Sequence, residues 1–127
     1  MALIPYTVTP ALDNNGSVII GAFVYAWAAV TSADTCGPVK MPAYSDKSIQ
    51  AVVAGGTPTW GVSGSNDPAG ASFAALHDAL TGAAITSVAA AGIRPIVDNV
   101  GSVKPDVPAG AGNVTYYLLV NTMARRG

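Results

Sequence analysis

This chain has no Glu, a single Gln at position 50, three Lys and three Arg. Those straight-chain residues usually dress the exposed faces of helices, and without them long surface helices are disfavoured. Fourteen Gly and nine Pro, spread along the 127 residues, cut the chain into short segments of the kind that build an antiparallel sandwich or barrel. The length fits one domain with one core. An all-β fold follows, with about seven or eight short strands and at most one or two helical turns. Residues 1–16 read as an extended arm and 17–127 as a single β-sandwich domain.

The segments can be taken in order. Asp13-Asn14-Asn15-Gly16 is a turn, because Asn and Gly tolerate positive φ, and it introduces a long strand over Val18–Val30. Gly37-Pro38 breaks the chain again. Ser48–Val53 alternates, with Ile49, Ala51 and Val53 on one face, and Gly55-Gly56 reads as a hairpin signal after it. Thr57–Ser63 sets Pro58, Trp60 and Val62 against Thr57, Thr59, Gly61 and Ser63, which turns Trp60 toward the core. Ser65-Asn66-Asp67-Pro68 is a turn. Over residues 72–80, Phe73, Leu76 and Leu80 have helical spacing, with Ser72 as a cap and Gly82 as a stop. A helix this short is marginal alone, and a strand is the preferred reading. Ala89–Ile93 reads as a turn or as one helical turn ending at Gly92. Ser102–Val107 alternates Val103, Pro105 and Val107, and its prolines suggest an edge. Asn113–Met123 places Val114, Tyr116, Leu118 and Val120 on one side and Thr115, Tyr117, Leu119 and Asn121 on the other. Both sides are fairly apolar, so it should lie centrally or against a partner.

The surface is unusual. Charged residues make up 10% of the chain while 50% is hydrophobic, where about 25% charged is ordinary. The charges lie mostly in expected turns and ends, at Asp13, Asp34, Asp46, Lys47, Asp67, Asp98, Arg125 and Arg126, and the strands over 18–30, 48–53 and 113–123 carry none. An isolated sandwich normally shows some Lys or Glu on outward strand positions, to block edge pairing. Their absence predicts that at least one sheet face or edge is covered by other protein. The first dozen residues also lack charge and hold Pro5 and Pro10. They form either an arm that adds as a strand to a neighbouring subunit or the first strand of the chain's own sheet. Leu3, Ile4, Tyr6 and Val8, with the terminal Arg125-Arg126 pair, are the candidate partner contacts.

The series Ser45-Asp46-Lys47-Ser48-Ile49-Gln50, Trp60, Gly64-Ser65-Asn66-Asp67, Phe73, Leu76, Asp78, Ala84-Ile85, Ala90-Ala91-Gly92-Ile93 and Arg125-Arg126 resembles the capsid cement, or decoration, proteins of short-tailed bacteriophages of the Bordetella phage type. The resemblance runs from about Trp27 to Arg126. It departs from the pattern at Ala54-Gly55-Gly56-Thr57-Pro58, where a Gly-aromatic element is expected, and at Pro68, where Gly is more usual. It implies a β-sandwich of jelly-roll type, bound to the outside of an icosahedral phage head. There it would clamp neighbouring major capsid subunits, as a homodimer or another homo-oligomer. The protein would be made in the bacterial host cytoplasm and act on the outer surface of the virion.

Other classes find less in the residues. Six scattered cations and a net charge of −1 give no basic stripe for direct nucleic-acid binding. The longest apolar run, Val18–Val30, is shorter than the roughly 20 residues that span a membrane. No basic side chain precedes Lys40, so no secretory signal is expected. One Cys and one His give no zinc site, the isolated Asp residues give no calcium loop, and no cofactor motif is present. His77-Asp78 could supply two members of a hydrolase triad, but neighbours on a strand point to opposite faces. No catalytic residue is expected, and Cys36 reads as a buried thiol. The reading from another class is a carbohydrate-binding module of a tail fibre or cell-surface protein, with exposed aromatics as the sugar platform. A third is a minor tail or head-completion protein.

Overall fold

In Asn113–Asn121 every second side chain is apolar and large, and Val114, Tyr116, Leu118 and Val120 are all fully buried. Alternation of this kind makes a strand with one face in a core. The computed structural model describes residues 3–40 and 46–121. In chain order its strands are β1 (Leu3–Ile4), β2 (Thr7–Leu12), β3 (Val18–Val30), β4 (Thr35–Cys36), β5 (Val39–Lys40) and β6 (Asp46–Ala54), followed by β7 (Thr59–Ser65), β8 (Ala74–Ala75), β9 (Gly92–Ile96), β10 (Ser102–Ala109) and β11 (Asn113–Asn121). The fold is all-β, and among the described residues there is no helix. Eleven strands rather than seven or eight arise because β1, β4, β5 and β8 are two-residue pairings, too short to leave a periodic signal.

Two antiparallel sheets face each other, in the orders β2-β3-β11-β6-β9 and β5-β10-β7-β8. The pair β1-β4 is parallel, joining Leu3 to Thr35 and Ile4 to Cys36. One core fills the sandwich. Trp27, Ile49, Ala51, Tyr116 and Leu118 come from the five-stranded sheet and Trp60, Val62, Val103 and Val107 from the other. Trp60 stands edge-on to Tyr116, with centroids 6.1 Å apart, a favourable arrangement of ring quadrupoles. The buried polar tips are paired. Trp27 Nε1 donates to Gly37 O and Trp60 Nε1 to Ala90 O, each at 2.9 Å, and the Tyr116 hydroxyl donates to the Asp106 carbonyl.

Three expectations are corrected. Gly55-Gly56 closes no hairpin. Strand β6 already has β11 on one flank and β9 on the other, so the chain must leave this sheet, and β7 belongs to the opposite one. The β10–β11 connection makes the reverse transfer at the same corner. The two backbones pass so closely that a Cβ on Gly110 or Gly112 would lie 2.7 Å from Thr57 O or Ala54 O. One on Gly56 would meet the Ala111 carbonyl inside contact distance. Next, Ala89–Ile93 is not simply a turn: β9 starts at Gly92 and pairs with Lys47–Ala51. The packing of Ile96 into the core outweighs the small residues before it. Finally, Asp46 and Lys47 are not turn residues but lie within β6, where Lys47 is 4% exposed. Burial pushes its ammonium pKa down, and Nζ reaches Asn99 Oδ1 at 3.5 Å.

Residues 72–78 are extended, as preferred over a helix, and Ala79-Leu80 enter a turn closed by the Gly82 amide on Asp78 O. Ala74–Ala75 pair with β7, Leu76 N donates to Val62 O, and Ile85 N donates to Leu76 O. Leu76 is buried while Leu80 is 83% exposed, so the helical spacing of the two never defined a shared face. The prolines of β10 also sit as expected. β5 flanks only Ser102 and Val103, and beyond Val103 the outer side of β10 has no ladder partner among the described residues.

Strand β3 carries a bulge. Between the pairs Tyr116↔Trp27 and Val114↔Val30, Ala28 and Ala29 oppose Thr115 alone, and the extra residue returns Val30 to the core. Ala29 takes φ +51°, and its amide donates to Thr115 Oγ1 at 3.1 Å. Left-handed backbone costs an L-residue about 1–2 kcal/mol, less the entropic cost of Gly. Ala29→Gly should therefore raise stability by about 0.5–1 kcal/mol, measured by urea unfolding. Gly56→Ala should lower it by about 2 kcal/mol or more in the same assay, because the crossing chain has no room to yield.

Candidate functional site

Strand parity fixes what the five-stranded sheet shows to solvent. With Val114, Tyr116, Leu118 and Val120 inward, Thr115, Tyr117 and Leu119 point out, and register carries that face across every neighbour. One rung reads Thr7, Ala26, Tyr117, Gln50, Ile93, and the next Thr9, Val24, Leu119, Ser48, Pro95. Neither rung holds a charge. Val52 extends the patch beside Thr115. Tyr117, Leu119 and Val52 are each more than 40% exposed and Ile93 is 64% exposed. A contiguous apolar patch on a sheet face marks an interaction site, whereas scattered exposed apolar residues do not.

Strands β2 and β3 run on past the sheet as a hairpin. Its turn is built by Asp13, whose Oδ1 accepts the amides of Asn15 and Ser17 at 2.9 and 3.0 Å, while Gly16 adopts φ +78°. The hairpin shows Leu12, Val18, Ile19 and Ile20 to solvent. A groove of about 520 Å³ separates it from the end of the sheet, lined by Leu12, Ile19, Lys47, Pro95 and Leu119 among others.

The expected contact residues divide. Ile4 is half-buried against the core, and its carbonyl accepts the Gly37 amide at 2.9 Å. Leu3, Tyr6 and Val8 are exposed, although Tyr6 stands edge-on to Tyr25 and Trp27 at 5.4 and 6.2 Å. Residues 7–12 are the outermost strand of the chain's own sheet, paired with β3. Arg125 and Arg126 lie outside the described residues. Both tryptophans are fully buried with their indole N–H groups bonded, so neither offers a face for stacking a sugar ring.

The polar residues act on the fold. His77 pairs not with its neighbour Asp78 but with Asp98, at 2.9 Å from Nδ1 to Oδ2, and its backbone amide donates to the same oxygen. Asp78 turns the other way, taking the Leu80 amide at 2.7 Å and Arg94 at 3.1 Å. Asp34 accepts the Thr31 amide and hydroxyl, and Asp67 accepts the amides of Ala69 and Ala71. Asp13, Asp34, Asp67 and Asp78 thus hold local backbone turns, and Asp98 ties two distant segments together. The long-range partners Asp98 and Arg94 leave no mark in the local sequence, since 16 or more residues separate each from its mate. Among the described residues no group of three or more His, Cys or Asp could hold a metal ion. Cys36 is buried beside Asp106 and Asp34, and desolvation with those charges pushes its thiol up to about 12.

Comparison of the chain with protein-family models, characterised proteins and solved structures finds no match.

Asp78 is held below the usual carboxylate range, first by the Leu80 amide and then by Arg94, against the opposing effect of burial. Asp67 is held low by the amides of Ala69 and Ala71. A depressed folded pKa gives stability that is present above the unfolded value, near 3.9, and lost as pH falls through the folded one. Burial raises Asp106 instead, and its contribution fades as pH rises. Urea midpoints should fall as pH drops below about 4. Asp78→Asn should flatten that fall, and an unchanged acid slope in the variant would refute the assignment.

Proposed function

We propose that this protein is a structural, non-enzymatic virion component: a cement or decoration protein that binds the outer surface of an icosahedral phage head and clamps neighbouring major capsid subunits. The observation that carries the reading is the pair of charge-free rungs across the five-stranded sheet. A protein that works alone in water normally breaks such a face with Lys or Glu. Cement function needs many modest contacts engaged at once, so that avidity rather than any single contact supplies the hold. Apolar and main-chain contacts suit that work, because an exposed ion pair adds only about 0–1 kcal/mol and fades with salt. The ordered series from Ser45 to Arg126 that resembles phage cement proteins supports the same reading, and jelly-roll connectivity belongs to the same proposal.

In this reading the shell and further copies of the chain are the partners. Leu3, Tyr6 and Val8, on the flank that ends in β2, join the apolar hairpin tip as contacts to capsid. The His77–Asp98 and Asp78–Arg94 pairs hold loops in place and perform no covalent chemistry. Purified particles that carry the protein test the proposal by quantitative gel. The expected result is a copy number comparable with that of the major coat protein. A few copies per particle would overturn the cement reading and favour a head-completion or tail role.

A further inference from the structure

We propose that Lys47 and Asn99 become covalently joined in the folded chain, by an isopeptide bond between Lys47 Nζ and Asn99 Cγ that forms with release of ammonia. The bond would form within one chain, whatever that chain binds.

Register places an amine among apolar side chains. Lys47 shares its inward parity with Ile49 and Ala51, and its ladder neighbours are Val120 on β11 and Ile96 on β9, both buried. An ammonium enclosed in this way is costly to keep. The Lys47 tip reaches the loop between β9 and β10, where Nζ lies 3.5 Å from Asn99 Oδ1. That is long for a hydrogen bond and close to the separation from which reacting groups attack. The carbonyl carbon is one bond of about 1.23 Å from that oxygen, so Nζ stands within about 5 Å of Cγ. Lys40 and Lys104 are placed otherwise, the first exposed and the second 4.2 Å over the Phe73 ring.

The loop is held on both sides of Asn99. Asp98 Oδ2 accepts the His77 amide at 2.9 Å, Val97 N donates to His77 O, and the Gly101 amide donates to Asn66 Oδ1 at 2.8 Å. Fixing two groups in contact is worth an effective concentration of about 10⁵ M or more, which a poor electrophile such as an amide requires. Burial, opposed by the charges of Asp98 and Asp46, pushes the Lys47 ammonium pKa down. The share of neutral amine, the nucleophilic form, rises accordingly.

The step balances without a co-reactant. Once the ammonium proton has passed to solvent, the amine lone pair adds to Cγ. An amine proton moves to the side-chain amide nitrogen, the Cγ–Nδ2 bond breaks, and ammonia leaves. Asn99 is exposed, so the departing group has a path to water. A neutral secondary amide then replaces the enclosed ammonium, and β6 is tied to the loop that crosses from one sheet to the other.

Intact-mass spectrometry of the full chain, purified and then incubated, tests this. The expected mass lies about 17 Da, one ammonia, below that of the sequence. Lys47→Met and Asn99→Ala should each keep their full mass, and trypsin should leave the bond after Lys47 uncut only in the linked chain. Lys47→Met sets an apolar side chain in an apolar setting, so folding is not at risk. The linked chain should melt about 10–20 °C above Asn99→Ala, since the bond closes residues 47–99 into a loop. Full mass in the wild type after prolonged incubation would overturn the proposal. So would the same loss persisting in either variant, which would mark a succinimide, as at Asn15-Gly16, instead.

Discussion

The structure hangs on a strand hydrogen-bonded along both edges. β11 pairs with β6 through nine successive residues and with β3 through most of its length, so its backbone groups are satisfied whatever covers its faces. Its inward side chains are fully buried, and Tyr116 meets Trp60 of the opposite sheet. The remaining inner-face residues take their place from this register: Ile49 and Tyr25 flank Leu118, and Ala51 and Trp27 flank Tyr116. A slip of one residue would put Thr115 and Asn121 in the core and Tyr116 in water. The Ala29 bulge is the one concession, and it keeps Val30 on the buried side.

Carboxylates in this protein face inward to the backbone more than outward to solvent. Asp13, Asp34, Asp67, Asp78 and Asp98 each accept at least one main-chain amide. They fix the loops that join short strands, and among the described residues there is no helix for them to cap. The already small number of charges is thereby reduced further as a solvating resource. This explains how a surface can be apolar on its broad sheet face without any charged residue having been lost from the chain's turns.

Much of this was legible in the sequence because strands leave a period-two signal. Val18–Val30 and the alternation from Asn113 onward need only side-chain parity, and Trp60 could be placed in the core on its spacing from Pro58 and Val62. What escaped depends on partners distant in sequence. Gly55-Gly56 has local hairpin chemistry, yet the flanks of β6 were occupied by strands that come 37 or more residues later. Gly92–Ile96 becomes a strand because β6 has an edge for it, and Lys47 is drawn inside by the parity of Ile49 and Ala51. The uncharged face was visible as missing charge, but only register could show that the gap forms two unbroken rungs. His77 was conspicuous from the start, whereas Asp98 was not, and the pair exists because Ala79 N–H donates to Pro95 O and Val97 N–H to His77 O, which draws the two segments together.

The placement of β2 and β11 also divides the molecule mechanically. β2 is an outer strand, joined to the sheet by one ladder, and it can be drawn away without parting the core. β11 is held by two ladders and by the buried ring of Tyr116, so a pull along it must shear both neighbours at once. Force entering through β11 is resisted by the whole sandwich, while force entering through β2 meets only the weakest seam. The sandwich is therefore stiff along its middle strand and compliant at its flank.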